Sequence, residues 1–194
     1  MIACLRLLSA LCLAALLAAC ASSPSSSLGE LPRTPDASIE QLLEQATNAK
    51  TPEKAALLRL SAADLAYQQN NPGRSSQILA QVPLDALKPA AQVFASTLAA
   101  ELAMGRNQPK AALAALNHPS LQSLKELPTD QQIRTGTVHA RAYEADGQTL
   151  AAARERVAMA PLLTGEAASS NHEAIWVLIA ALPAEQLQAT GNPT

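Results

Sequence analysis

From Ala37 onward, apolar residues return every three or four positions and are cut at intervals by Pro, Gly and Asn. That is the pattern of amphipathic helices joined by short turns. Ser38 caps a first helix carrying Ile39, Leu42, Leu43 and Ala46. Thr51-Pro52-Glu53 sets a capping hydroxyl, a proline and an acid in the order that opens a helix. This second helix runs to about residue 69, with Ala55, Leu58, Ala62, Leu65 and Ala66 on one face, and Asn70-Asn71-Pro72-Gly73 breaks it. The same punctuation predicts a short helix over 76–81, a long one over 88–104 stopped by Gly105, and a short one over 109–116. A helical turn is expected over 120–127, then a helix from Thr129 or Asp130 to Asp146 stopped by Gly147, and its partner over 149–159 ended by Pro161. A last pair is expected over 171–181 and 183–189.

The order is a long helix, a turn, a short helix and a proline, three times over. Aligned by Asn71, Gly105 and Gly147, the long helices carry Ala66, Ala100 and Ala142 five residues earlier, and Tyr67, Glu101 and Tyr143 four residues earlier. The alanines predict a close helix crossing and the tyrosines an aromatic wedge beside it. The units recur at 34 and 42 residues, near the tetratricopeptide period, although the full consensus of that repeat is not matched. The expected fold is all-α, a tetratricopeptide-like solenoid of stacked helix hairpins over residues 37–194. The competing architecture is a generic antiparallel helix bundle.

The first 36 residues follow a different rule. Arg6 precedes an apolar run from Leu7 to Leu17, and the run ends in Leu17-Ala18-Ala19-Cys20. The run is shorter than the roughly 20 residues a membrane span needs. Two small residues before a cysteine form a lipobox: they let the chain lie extended in a peptidase groove, and the thiol accepts a diacylglycerol. Residues 1–19 are therefore expected to be a lipoprotein signal and Cys20 the lipid attachment site; the alternatives are an ordinary cleaved signal or a single membrane anchor. Ala21, rather than Asp, follows the cysteine, which in a Gram-negative envelope points to the outer membrane, on its periplasmic face. Residues 20–36, rich in Ser and Pro and without apolar periodicity, are expected to be a disordered tether that could reach about 50 Å when extended.

Composition agrees with helix. The chain is rich in Ala and Leu, and Tyr67, Phe94, Tyr143 and Trp176 are its only aromatics. Cys4 and Cys12 fall in the signal, so a mature domain has no disulfide to lean on. The net charge is slightly negative with no basic block, so no nucleic-acid partner is expected. His118, His139 and His172 are scattered without ligand spacing, which argues against a metal site. His118 is expected to be solvated in a turn and His139 to be satisfied at a packing edge. Glu53, Glu101, Glu144 and Glu155 read as solvated helix faces. No nucleophile elbow or phosphate loop is present; Gly105-Arg106-Asn107-Gln108-Pro109-Lys110 has the wrong spacing and reads as a turn. No catalytic residue and no cofactor is expected, and the chain reads as a regulator or scaffold rather than an enzyme.

The lipobox, the Ser/Pro tether and the helical hairpins together resemble the N-terminal part of the LpoA family. The last quarter carries the resemblance furthest: Ala142-Tyr143-Glu144-Ala145-Asp146-Gly147, then Ala160-Pro161-Leu162-Leu163, then Asn171-His172-Glu173-Ala174-Ile175-Trp176 with Leu178 and Leu182. The resemblance implies an outer-membrane lipoprotein that serves peptidoglycan synthesis by activating a penicillin-binding protein. In that family a tetratricopeptide-like domain gives reach from membrane to cell wall, and a second, periplasmic-binding-protein-like domain makes the activating contacts. This chain ends at Thr194 without such a domain, so it reads as incomplete at its C-terminus, and no partner-contact residue carries over. The alternative is another periplasmic tetratricopeptide lipoprotein, such as a peptide-binding assembly factor. The mostly Ala, Ser, Thr and Gln faces of the long helices speak mildly against it.

Overall fold

The computed structural model describes residues 37–183 and 185. The signal, the tether with Cys20, and most of the predicted helix over 183–189 lie outside the described residues. Within them the chain forms eight α-helices and no strand. These are α1 (Ile39–Thr47), α2 (Pro52–Gln68), α3 (Pro72–Leu79), α4 (Pro89–Gly105), α5 (Pro109–Leu116), α6 (Thr129–Ala145), α7 (Thr149–Met159) and α8 (Gly165–Ala180). Short 3₁₀ segments cover Leu84–Ala86, Pro119–Glu126 and Ala160–Leu162. The fold is the all-α stack of hairpins that the periodicity predicts.

Local chemistry sets the helix starts. At α1, Ser38 Oγ accepts the Gln41 amide while the Gln41 side chain accepts the Ser38 amide, a complete capping box. Thr51 Oγ1 accepts the Lys54 amide ahead of Pro52. Two starts fall earlier than predicted. α3 begins at Pro72, because Asn71 accepts the Arg74 amide and proline suits the first helical turn. α8 begins at Gly165, six residues before the predicted start, since Glu166 and the following alanines favour helix and the acid suits the positive helix end.

One turn is used three times. Asn70, Asn107 and Gly147 adopt left-handed backbone, at φ 58°, 57° and 75°. In each case the next residue donates its amide to the carbonyl five residues back: Asn71 to Ala66, Gln108 to Ala103 and Gln148 to Tyr143, at 2.9, 3.0 and 2.9 Å. That same residue is the N-cap of the following helix. A Schellman stop and a helix start thus share residues, which folds each long helix tightly onto its short partner. Asn serves in place of Gly at two of the three turns because it tolerates the left-handed region.

This geometry corrects the repeat alignment. Gly105 lies inside α4, and the terminators are Asn70, Asn107 and Gly147, spaced 37 and 40 residues apart. Ala66, Ala103 and Tyr143 are the equivalent positions, so Tyr67 and Tyr143 are not, and they form no shared aromatic wedge. Ala66, Ala100 and Ala142 are nonetheless all fully buried.

The core lies in two clusters. The larger joins α1 to α4 through Ile39, Leu42, Leu60, Ile78, Phe94 and Leu98. Each large apolar side chain buried there is worth about 1.5–3 kcal/mol. The smaller joins α4, α5 and α6 through Ala100, Ala103, Ala112, Leu116, Val138 and Ala142. α7 packs on α6 at close range: a Cβ on Gly136 would stand 2.5 Å from Met159 Sδ and 2.6 Å from its Cγ. α8 packs on α7, and its one buried residue is Asn171.

Candidate functional site

The fourth helical turn of α2 carries Asp64, the last turns of α4 carry Glu101, and the first half of α6 carries Arg134. The stacking of long helices brings all three together. Arg134 donates from Nε to Glu101 Oε1 at 2.9 Å and from Nη2 to Glu101 Oε2 at 2.6 Å, a two-pronged pair. The same Nη2 reaches Asp64 Oδ1 at 3.1 Å. Asp64 is only 3% exposed and also accepts from the Gln68 side chain. The guanidinium carbon stands 4.8 Å from the Phe94 ring centre, so one face of the cation rests on an aromatic. Hydrogen bonds and charge from Glu101 and Asp64 hold Arg134 above its ordinary range despite an opposing push from burial. It is therefore a permanent cation joining three successive hairpins.

Beside it, a buried hydroxyl relay repeats the tie between α4 and α6. Thr97 Oγ1 donates to the Val93 carbonyl at 2.9 Å, which leaves the Thr135 hydroxyl to donate to Thr97 at 2.8 Å. The Gln131 amide donates to Thr135 in turn, at 3.4 Å.

The network opens into a half-exposed pocket of about 290 Å³ lined by Tyr67, Glu101, Met104, Arg134, Thr137 and Arg141, with Gly105 and Val138. Burial, and next the charge of Glu101, push the Tyr67 hydroxyl above its ordinary range, so it is a proton donor at neutral pH. Gly105 leaves one wall open, with nothing within 4 Å of the place a Cβ would take.

A second polar tie joins the last three helices. Arg156 Nε donates to Glu144 Oε1 at 2.6 Å, and its Nη1 to Asn171 Oδ1 at 3.4 Å. The Asn171 amide returns a hydrogen bond to the Arg156 carbonyl at 2.9 Å.

These contacts correct several sequence expectations. Glu101, Glu144 and Glu155 are not merely solvated: the first two bind Arg134 and Arg156, and Glu155 stands 3.4 Å from His139 Nδ1. Glu53 pairs with Lys88 at 3.3 Å across exposed surface. His118 is half-buried and caps a 3₁₀ turn, its Nδ1 2.7 Å from Ser120 Oγ. His139 is satisfied as expected, stacked on Tyr143 with ring centres 4.5 Å apart. Trp176 is 61% exposed and donates to His172 Nε2 at 2.8 Å. The three histidines stay apart, and among the described residues no group of three or more His, Cys, Asp or Glu could hold a metal ion. No described helix is long and apolar enough to cross a membrane. Cys20, the predicted lipid site, lies outside the described residues.

Arg134 and Asp64 escaped sequence reasoning, yet a signal was there. Glu101 is the only charged residue in the 17 residues of α4, and Asp64 stands alone among Leu, Ser and Ala in the second half of α2. A lone acid in an uncharged helix needs a partner from elsewhere.

Residues 32–194 match the family described as LppC putative lipoprotein. Among solved structures, the amino-terminal domain of E. coli LpoA is similar, at 19% identity and a TM-score of 0.54, over 89% of this chain and 72% of that one. Two structures of Haemophilus influenzae LpoA are similar at 18% identity and a TM-score of 0.50, over 82% and 87% of this chain. The chain spans only 28% and 30% of the length of those two. No curated protein matches. At such identities the likeness speaks for the fold, while the family match covers most of the sequence: the chain belongs to the LppC lipoprotein family and has the helical fold of an LpoA amino-terminal domain.

Proposed function

We propose that the protein is a lipoprotein scaffold, anchored through Cys20 to the periplasmic face of the outer membrane, whose helical stack gives reach toward the cell wall. The partner served is a penicillin-binding protein engaged in peptidoglycan synthesis. The observation that carries this reading is the family match over residues 32–194, which begins within the Ser/Pro segment that follows the lipobox. One feature of the stack supports a structural role. Arg134 joins three hairpins and Arg156 joins the last helices, so the strongest charge contacts of the stack hold helices together.

The experiment is a peptidoglycan synthesis assay with a purified penicillin-binding protein, with and without the purified chain. Unchanged rates of glycan polymerisation and crosslinking are expected, because a scaffold positions and does not activate. A clear rise in either rate would make the helical stack itself the activator and overturn the reading.

A further inference from the structure

The pocket between α2, α4 and α6 is lined by donors that the fold leaves unused. Both oxygens of Glu101 accept from Arg134, through Nε and Nη2. Arg134 Nη2 is further occupied by Asp64, whereas its Nη1 has no hydrogen-bond partner among the described residues and is not a buried orphan. Arg141 is exposed and has no ion pair or hydrogen bond with a described residue. The Tyr67 hydroxyl likewise has no hydrogen-bond partner there, and it senses the charges of Glu101, Arg134, Arg141 and Asp64. Two cationic groups and a hydroxyl therefore line one cavity whose single carboxylate, Glu101, already accepts from Arg134 through both oxygens.

We infer that this pocket holds the free carboxylate at the end of a peptide chain. The donor set is complementary to a planar anion, which Arg recognises through paired N–H groups. Arg134 is held in place by two carboxylates and the Phe94 ring, so little side-chain entropy is lost on binding. A volume of about 290 Å³ admits one or two residues. The half-open side lets the rest of a chain leave, and Met104 and Val138 offer apolar wall to the last side chain. The nearby charges of Glu101 and Asp64 hold affinity down, to a dissociation constant on the order of 0.1–1 mM. This inference does not depend on the anchoring or cell-wall reading above.

The test is a calorimetric titration of the full chain, purified in detergent, with three acetylated peptides. They are Ala-Ala-Leu with a free carboxylate, the same peptide amidated, and amidated Ala-Glu-Leu, whose only carboxylate is a side chain. The free acid should bind and the two amides should bind at least tenfold more weakly. Arg141→Gln should weaken the free acid about tenfold and Tyr67→Phe about threefold. Gly105→Leu, which adds bulk where no atom stands, should abolish binding while the helical circular dichroism is kept. Equal binding of the amidated Ala-Ala-Leu, or of the Glu peptide, overturns the inference. So does undiminished binding by Arg141→Gln, or no binding of the free acid at about 5 mM by protein that retains its fold.

Discussion

Arg134 shows how one side chain sets the register of a repeat stack. Its two acids come from α2 and α4, 70 and 33 residues away in sequence, so one guanidinium ties together hairpins that are distant along the chain. Breaking such a group by truncation strands the buried carboxylates, so Arg134→Ala should destabilise by about 3–5 kcal/mol. Replacing all three members with apolar residues of similar volume (Arg134→Met, Glu101→Leu and Asp64→Leu together) should recover most of that loss in chemical denaturation. An additive loss in the triple variant would show that the pair contributes net stability rather than register. A second residue-scale contrast concerns glycine. Gly136→Ala should destabilise by about 1 kcal/mol or more, because the new methyl meets Met159. Gly105→Ala meets nothing and should stabilise by up to about 1 kcal/mol through helix propensity. Equal shifts in melting temperature for the two would mean that α6 and α7 do not approach as described.

At the scale of elements, the hairpin turn explains both what the sequence made legible and what it hid. Helices announced by a hydroxyl before a proline, such as α2 at Thr51-Pro52, start where the pattern predicts. Gly147 was readable as a terminator because glycine is the usual left-handed residue. Asn107 was not, since Gly105 stands two residues earlier and draws the eye, although it is plain helix. The start of α8 was missed for a similar reason: Thr164 looks like a cap but makes no side-chain cap bond, and the helix relies on Glu166 and alanines. The shared turn yields a prediction. Asn107→Gly should leave stability within a few tenths of a kcal/mol or raise it, whereas Asn107→Val should lower it by about 1–2 kcal/mol, since a β-branched residue resists positive φ. Thermal melts of both variants check this.

At the scale of the whole molecule, burial among the described residues is uneven. The first four helices share the larger apolar cluster, the middle relies on small residues, and α8 buries only Asn171 while Trp176 and Val177 stand 61% and 70% exposed. A solenoid transmits stability between neighbours, so its thinnest end opens first. Amide hydrogen exchange should therefore be fastest in α8 and slowest in α2 and α4; uniform protection would contradict the gradient. The all-α stack was legible because period and punctuation are local properties. The pocket was not, because its walls come from Tyr67, Glu101, Arg134 and Arg141, which meet only once three hairpins are stacked. No spacing along the chain encodes that meeting.

The central claim is that this stack works as a scaffold tethered to a membrane by one acylated residue, and metabolic labelling tests it most directly. Cells expressing the chain would be fed an alkyne fatty acid, and their inner and outer membranes separated. The account predicts label on the wild-type protein in the outer-membrane fraction, and neither label nor signal cleavage for Cys20→Ala. Equal labelling of the two proteins, or recovery of unlabelled wild type as free periplasmic protein, would contradict it.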